Sequence, residues 1–228
     1  MHVQLNDRAY VLADAFDESE LWVISHMITY QNISALQALK RLVLGNERYR
    51  NGTSRPDQFT LSRSRELAKG QRPFATILGC SDSRVPPEII FDADQGELFV
   101  IRIAGNVLSP EIAGSLQYAG SHLHTPLVVV LDHEGCGAVS AALAARDNGA
   151  GQPSRIQILV NAILPGLPKL NGDLSAEERL SAAVKSNVLW TRQQILQSPE
   201  ARKRTAEGRM KIVSAIYDIA SGRVKFTD

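Results

Sequence analysis

Three short apolar segments in the middle of the chain restrict the fold more than any other feature. Residues 74–79, 97–103 and 127–131 are rich in branched and aromatic side chains. Such runs are typical of strands buried on both faces, as in a parallel sheet covered by helices. Between the second and third run, Ser109, Pro110 and Glu111 mark the start of a helix. Strand–helix–strand in this order predicts an α/β fold with a right-handed crossover.

The flanking segments are predicted to be mainly helical. Ser34 can cap a helix that ends at Gly45-Asn46 or one turn beyond, followed by a loop over 48–57. Ser175 and Glu178 form a capping box, and Ser198 starts another helix. We therefore expect a single domain over 1–228, with a mostly parallel central β-sheet flanked by helices and a C-terminal β-hairpin around Ser221-Gly222. Its parts are a helical arm over 1–50 and an α/β core over 51–228.

Charge and apolar content argue against several classes of partner. The 25 basic side chains nearly balance the 24 acidic ones, giving a net charge of +1, so neither nucleic acid nor an anionic membrane is an expected partner. The longest apolar runs, such as 127–131, fall far short of the roughly 20 residues of a membrane helix. The N-terminus shows no secretory signal pattern. A soluble, cytoplasmic protein is the expectation.

Two polar loops directly follow predicted strands, at the edge where parallel sheets place their sites. The first begins at Cys80, and the second holds His133 and Cys136. His-x-x-Cys alone is weak evidence for a metal, because a buried thiol beside a half-exposed histidine gives the same pattern. If the strands at 74–79 and 127–131 are neighbours, however, Cys80 lies beside the other two. Two thiolates and one imidazole favour Zn²⁺, although a disulfide between the two cysteines remains an alternative.

The number of ligands favours a catalytic site over a structural one. Structural zinc is almost always bound by four protein ligands, whereas catalytic zinc keeps one position for water and can lower the pKa of that water to about 7. No third cysteine exists, and His2, His26, His122 and His124 belong to no adjoining ligand motif. Asp82 could bind the metal or accept a hydrogen bond from hydroxide on it, while Arg84 keeps the carboxylate ionised. An ordinary surface ion pair is the alternative for Asp82 and Arg84.

Taken together, residues 80–88 and 133–139 resemble the β class of carbonic anhydrases. Similar segments occur at 44–49, 96–100, 102–106 and 215–218, so that the resemblance runs from about residue 36 to the C-terminus. It implies that Cys80, His133 and Cys136 bind one Zn²⁺ per subunit, with Asp82 and Arg84 as a catalytic dyad. It further implies that the Gln71 amide reaches into the pocket and that Phe99 and Tyr118 form its apolar, substrate-binding wall.

The resemblance implies reversible hydration of CO₂ to bicarbonate and a proton by zinc-bound hydroxide. His122, one helical turn after Tyr118, is a candidate proton relay or simply a surface histidine. In some members of the class the counterpart of Asp82 binds the zinc directly, and both states are open here. Arms such as 1–50 cover a partner subunit in the family, which implies a homodimer or homotetramer.

Two positions depart from the family pattern. Asp132 stands where a glycine commonly precedes the ligand histidine and adds a carboxylate near the metal, and Ile103 replaces a frequent asparagine. Alternative functions are a COS or CS₂ hydrolase of the same fold and a non-catalytic zinc- or bicarbonate-binding sensor module. Nucleotide binding at 135–137 is weakly indicated, because the third glycine of that fingerprint is missing. The basic cluster 202–204 is predicted to be a solvated helix face.

Overall fold

The computed structural model describes residues 33–56, 59–170 and 173–227. Within these residues, five strands form one sheet in the order β2-β1-β3-β4-β5. The first four strands in this order are parallel, and β5 pairs antiparallel with β4. The predicted mostly parallel sheet and C-terminal hairpin are therefore confirmed. The strands are β1 (Ala75–Gly79), β2 (Leu98–Arg102), β3 (Leu127–His133), β4 (Lys211–Tyr217) and β5 (Val224–Thr227).

Burial explains why the central strands lack polar alternation. Every residue of β1 and of β3 is buried, as expected when helices cover both faces of a parallel sheet. β3 extends two residues beyond the predicted run and includes the polar Asp132 and His133. These two side chains are the exception to the apolar pattern, and they lie at the carboxyl end of the strand.

The described helices flank this sheet, and the capping predictions are confirmed. The side chains of Ser34, Ser109, Ser175 and Ser198 each accept a hydrogen bond from a backbone N–H of the first helical turn. The helices are α1 (Ala35–Arg50), α2 (Leu61–Leu67), α3 (Pro87–Ile90), α4 (Pro110–Ser121), α5 (Gly137–Asn148), α6 (Ser154–Ile163), α7 (Ala176–Gln197) and α8 (Pro199–Ala206), with 3₁₀ turns at Ala104–Asn106 and Leu164–Gly166.

α1 is longer than the glycine inside it suggested. The helix continues to Arg50, so the loop predicted from residue 48 begins only at Asn51. Gly45 does not end the helix; a Cβ there would collide with the carbonyl group of Phe91. Ala38 and Leu42 of α1 are fully buried, so this part of the predicted arm packs against other elements. The arm residues before 33 lie outside the described residues.

Two other differences from the sequence prediction have simple physical causes. α6 was not predicted, because its N-cap is Pro153 and no side chain caps it. Its apolar residues nevertheless recur at helical spacing, and Val160 and Ile163 are buried against α5.

The prediction of a solvated face over 202–204 is wrong for Arg204, which is only 6% exposed. The helices in the described part of the chain are all too short or too polar to span a membrane.

Replacing Gly45 tests the close approach of α1 to the backbone of Phe91. Gly45→Ala should lower the free energy of unfolding by about 1–3 kcal/mol, because the added methyl group forces the two elements apart. Urea unfolding measures this. The control is Gly114→Ala on the exposed side of α4, where an added Cβ meets no atom within 4 Å. That change should raise stability by up to about 1 kcal/mol through helix propensity. Equal stability of the two variants would contradict the packing argument.

Candidate metal centre

The two cysteines and one histidine predicted to share a metal lie together at the carboxyl edge of the sheet. Cys80 directly follows β1, His133 ends β3, and Cys136 is the N-cap residue of α5. The Sγ atoms of Cys80 and Cys136 are 4.0 Å apart, and both thiols are free, so the disulfide alternative is wrong. Ligand atoms of these three residues and of Asp132 all lie within 4.8 Å of one another.

Strand register is what brings these side chains together. Gly79 of β1 pairs with Leu131 of β3 in parallel, so the next residue of each strand leaves the sheet at the same edge. The sequence prediction that these two strands are neighbours is confirmed. Gly135, with a φ of +70°, makes the tight turn between His133 and Cys136. The glycines around Cys136 thus belong to the turn that returns the second thiol to the cluster.

The imidazole of His133 is oriented for a metal. Its Nδ1 lies 3.0 Å from the carbonyl oxygen of Glu134 and donates to it, which leaves a lone pair on Nε2. Nε2 is buried and has no hydrogen-bond partner. A buried, unpartnered nitrogen facing two thiols is costly unless something binds it. The donor set of one nitrogen and two sulfurs fits Zn²⁺.

The environment of the cluster favours the thiolate at one of the two cysteines. The hydrogen bond from Cys136 and the proximity of the His133 ring lower the pKa of Cys80 to about 4 against the effect of burial. Donating to Cys80 raises the pKa of Cys136 in the metal-free cluster. Burial works to lower the pKa of His133, but the adjacent Cys80 thiol and the charge of Asp132 raise it overall. A metal cation would replace the protons that these groups hold in its absence.

Asp82 and Arg84 form a two-pronged ion pair beside the cluster. Arg84 donates from Nε to Oδ1 of Asp82 at 2.9 Å and from Nη2 to Oδ2 at 2.8 Å, and its backbone N–H also donates to Oδ1 at 3.0 Å. These bonds hold the pKa of Asp82 well below its usual range. Oδ2 of Asp82 lies 3.6 Å from Nε2 of His133. The pair therefore lies directly beside the cluster.

Arg102 is a site residue to which the sequence analysis gave no role. At the end of β2, its Nε donates to the carbonyl oxygen of Cys80 at 3.0 Å, and its Nη2 donates to the carbonyl oxygen of Asp82. One guanidinium thus fixes the backbone of the loop that carries both a ligand and the dyad carboxylate. In the sequence, Arg102 is marked only by its place in segment 102–106, which resembles the family.

Asp132, noted in the sequence as a departure, does place a carboxylate at the centre. It is fully buried, and its Oδ1 accepts a hydrogen bond from the backbone N–H of His133 at 2.9 Å. Its Oδ2 lies 3.3 Å from the Nδ2 atom of Asn187, a buried residue of α7 that also donates to the carbonyl oxygen of Gly105. Burial raises the pKa of Asp132 to about 6. Sequence reasoning missed Asn187, which no motif marks.

The predicted substrate-wall residues lie together, but away from the ligands of their own chain. The ring centroids of Phe99 and Tyr118 are 6.0 Å apart, and those of Tyr118 and His122 are 5.0 Å apart. Phe99 pairs with Thr76, four residues before Cys80, which is about 13 Å along the strand. Gln71 is exposed in the segment before β1. Ile103 packs among apolar side chains, so this departure contributes to the core.

Comparison with known proteins agrees with this centre. The family model described as carbonic anhydrase matches residues 75–224. "Carbonic anhydrase 2" of Mycobacterium tuberculosis (strain H37Rv) is 36% identical over 198 residues, covering 86% of this chain and 95% of the relative. The carbonic anhydrase of Mycolicibacterium smegmatis is 35% identical over 195 residues, covering 85% and 94%. The β-carbonic anhydrase CcaA has a solved structure that matches with a TM-score of 0.66 and 25% identity, covering 83% and 95%.

The chain belongs to the β-carbonic anhydrase family. A second solved structure, that of Coccomyxa β-carbonic anhydrase in complex with acetazolamide, matches with a TM-score of 0.63 at 25% identity, over 82% of this chain and 85% of that one. The protein is accordingly a carbonic anhydrase, an enzyme of CO₂ hydration. Its Cys80, His133 and Cys136 form a cluster that can bind a metal ion.

Removing the guanidinium of Arg102 tests its role in fixing the ligand loop of this carbonic anhydrase. Arg102→Met should lower the free energy of unfolding by about 1–2 kcal/mol, because two carbonyl groups lose a charged donor. Chemical unfolding of the metal-free protein measures it. The control is Arg84→Met in the same loop, where the side chain is 59% exposed and donates its hydrogen bonds to Asp82. Stability should hardly change in that variant; a larger loss there than in Arg102→Met would refute the assignment.

Proposed function

We propose that the protein hydrates CO₂ reversibly to bicarbonate and a proton at one Zn²⁺ per subunit, bound by Cys80, His133 and Cys136. The observation that carries this proposal is the buried, unpartnered Nε2 of His133 beside two free thiols whose sulfurs are 4.0 Å apart. Family membership supports the reaction, and the donor set supports zinc. No observation on the described residues favours a COS or CS₂ hydrolase or a sensor module.

A zinc ion in this centre would lower the pKa of a bound water to about 7 and so supply a nucleophile in neutral solution. The protein's own contribution begins with His133, whose Nδ1–H donates to the carbonyl oxygen of Glu134 and so aims Nε2 at the cluster. Arg102 fixes the loop that carries Cys80 and Asp82 by donating to the carbonyl oxygens of both residues. Three ligands contributed by two loops leave one position for the reactants.

Asp82 orients the attacking water. Its carboxylate is ionised at neutral pH because Arg84 holds its pKa well below the usual range, so it can only accept a hydrogen bond. Oδ2 is the oxygen nearer to His133, and a hydroxyl hydrogen donated there leaves an oxygen lone pair free for the carbon of CO₂. While both carboxylate oxygens are bound to Arg84, Asp82 is held back from metal ligation, which supports the open state of the centre.

Asp132 acts as a positioning residue rather than a fourth ligand. Both of its oxygens are engaged, one by the backbone N–H of His133 and the other by Asn187. Complete burial further disfavours turning an ionised carboxylate towards a new partner. Asp132, which stands where the family commonly has glycine, thus links the backbone of the ligand histidine to Asn187 of α7.

The substrate wall of each centre comes from a second copy of the chain. Phe99 lies about 13 Å along the sheet from the ligand end of its own β1, too far to contact CO₂ there, and Tyr118 lies beside Phe99. Tyr118 is 46% exposed, so the pair is accessible to a neighbouring subunit. This supports a homodimer or homotetramer, with the exposed Gln71 amide as a donor to a CO₂ oxygen. His122, in contact with Tyr118, then becomes the side chain through which a proton can leave.

Separating metal binding from catalysis tests the proposed function. Cys136→Ser should lose most of its zinc, measured by elemental analysis after dialysis, and with it CO₂ hydration measured by stopped flow. Asp82→Asn should retain about one zinc per chain and lose activity by about 10²-fold or more, because the amide cannot accept the hydroxyl hydrogen as a carboxylate does.

Wild-type protein serves as the control in both assays. Full activity of Asp82→Asn would contradict the role of the carboxylate and favour a different orienting group. Reconstituted wild-type protein that binds zinc but hydrates no CO₂ would overturn the proposed function itself.

Subunit complementation tests the shared site. Cys136→Ser and the double variant Phe99→Ala/Tyr118→Ala are expected to be inactive or weakly active alone. Co-expressed with different affinity tags and purified over both, the mixed oligomer should exceed the sum of the two parents. In the mixed species, an intact metal centre faces an intact aromatic wall from its neighbour. Activity no greater than that sum would place the wall in the same subunit as the centre it serves.

A further inference from the structure

A cavity of about 320 Å³ lies between α4, the end of α7 and α8. None of its lining residues belongs to the metal centre, and its volume falls at the lower end of the range for small-molecule sites. Most of the wall is hydrocarbon. The apolar side chains that line it include Leu108, Leu116, Val128, Ile195 and Met210.

One charged side chain in this wall is buried and lacks a partner. Arg204 of α8 is 6% exposed, and its Nε is buried without a hydrogen bond. Among the described residues it forms no ion pair. Burial lowers the pKa of Arg204, yet a guanidinium remains charged at neutral pH. A buried guanidinium nitrogen without a hydrogen bond is unfavourable, so the arrangement is stabilised if an anion enters the cavity and accepts from it.

The acidic side chain nearby is already engaged. Glu200 also lines the cavity, and its Oε1 accepts a hydrogen bond from the hydroxyl group of Ser121 at 2.6 Å. The other charges near Arg204 are Glu207 and Arg209, which bond to each other. The N-terminus of α8 is capped by its own Ser198 and plays no part in the argument. The negative charge of Glu200 therefore offsets that of Arg204 only in part, and it leaves Nε of Arg204 without a hydrogen bond.

We propose that this cavity binds a small amphipathic monocarboxylate. The carboxylate of the ligand accepts hydrogen bonds from the planar guanidinium of Arg204, whose N–H groups match the spacing of two carboxylate oxygens. The hydrocarbon chain of the ligand packs against Leu116, Val128 and Met210. A ligand with a single negative charge fits the site better than a phosphate dianion, because the carboxylate of Glu200 also lines the cavity and repels anions. The volume suits a chain of medium length. This site is independent of the proposed function of the metal centre.

Octanoate is the probe, titrated calorimetrically into the full-length, zinc-loaded protein. It should bind with a Kd below about 1 mM, and octan-1-ol, with the same chain and no charge, at least about tenfold more weakly. Arg204→Met keeps an apolar stem, and it should weaken octanoate at least about tenfold and abolish the preference over octanol. The matched control is Lys203→Met, which removes the same charge from the exposed neighbouring position and should leave the Kd unchanged.

Two further variants test the cavity without removing Arg204. Ala113→Trp places a large ring at the exposed rim and should abolish binding, while Glu200→Gln removes the nearby like charge and should tighten it. CO₂ hydration by each variant without octanoate should equal that of the wild type, which confirms the fold. Absence of octanoate binding to the wild type, or equal binding to Arg204→Met, would overturn the proposal.

Discussion

The parallel pairing of β1 with β3 is the constraint on which the active centre depends. Gly79 opposite Leu131 brings Cys80 and His133 to the same edge of the sheet, although 52 residues separate them in the sequence. A slip of one residue would turn every side chain of β3 to the opposite face of the sheet. Because both strands are buried on both faces, that slip would pack side chains of the wrong size and shape against the elements that cover each face. The core thus fixes the geometry of the metal ligands.

Backbone contacts then make the two loops stiff enough to hold a metal. Arg102 binds two carbonyl groups of the first loop, and the pair formed by Asp132 and Asn187 fixes the backbone at His133. Supporting contacts of this kind orient ligands and exclude alternative rotamers. Placing a carboxylate in a fully buried position has an energetic cost, which its hydrogen bonds partly offset.

The sequence was sufficient for features that depend on local spacing or on one strong pattern. Ser34, Ser109, Ser175 and Ser198 cap helices as predicted, and the apolar runs form the parallel strands. It was insufficient where a contact joins distant residues, as with Asn187 and Asp132. It was misleading for Arg204, because clusters of basic residues are usually solvated. Motif similarity also did not indicate how far along the sheet each residue lies. The distance between Phe99 and Cys80 of the same chain is therefore known only from the strand register.

α4 connects the two parts of the molecule that bind small molecules in our proposals. One side carries Tyr118, stacked near Phe99, and other positions on the helix, among them Ala113 and Leu116, line the cavity of Arg204. These residues follow the helical repeat, so a ligand in the cavity contacts the same helix without touching the aromatic pair. Because Val128 and Phe99 both pair with Thr76, cavity and aromatic pair lie at the same level of the sheet. The two binding functions therefore depend on separate side chains of one rigid element, and each can be removed without removing the other.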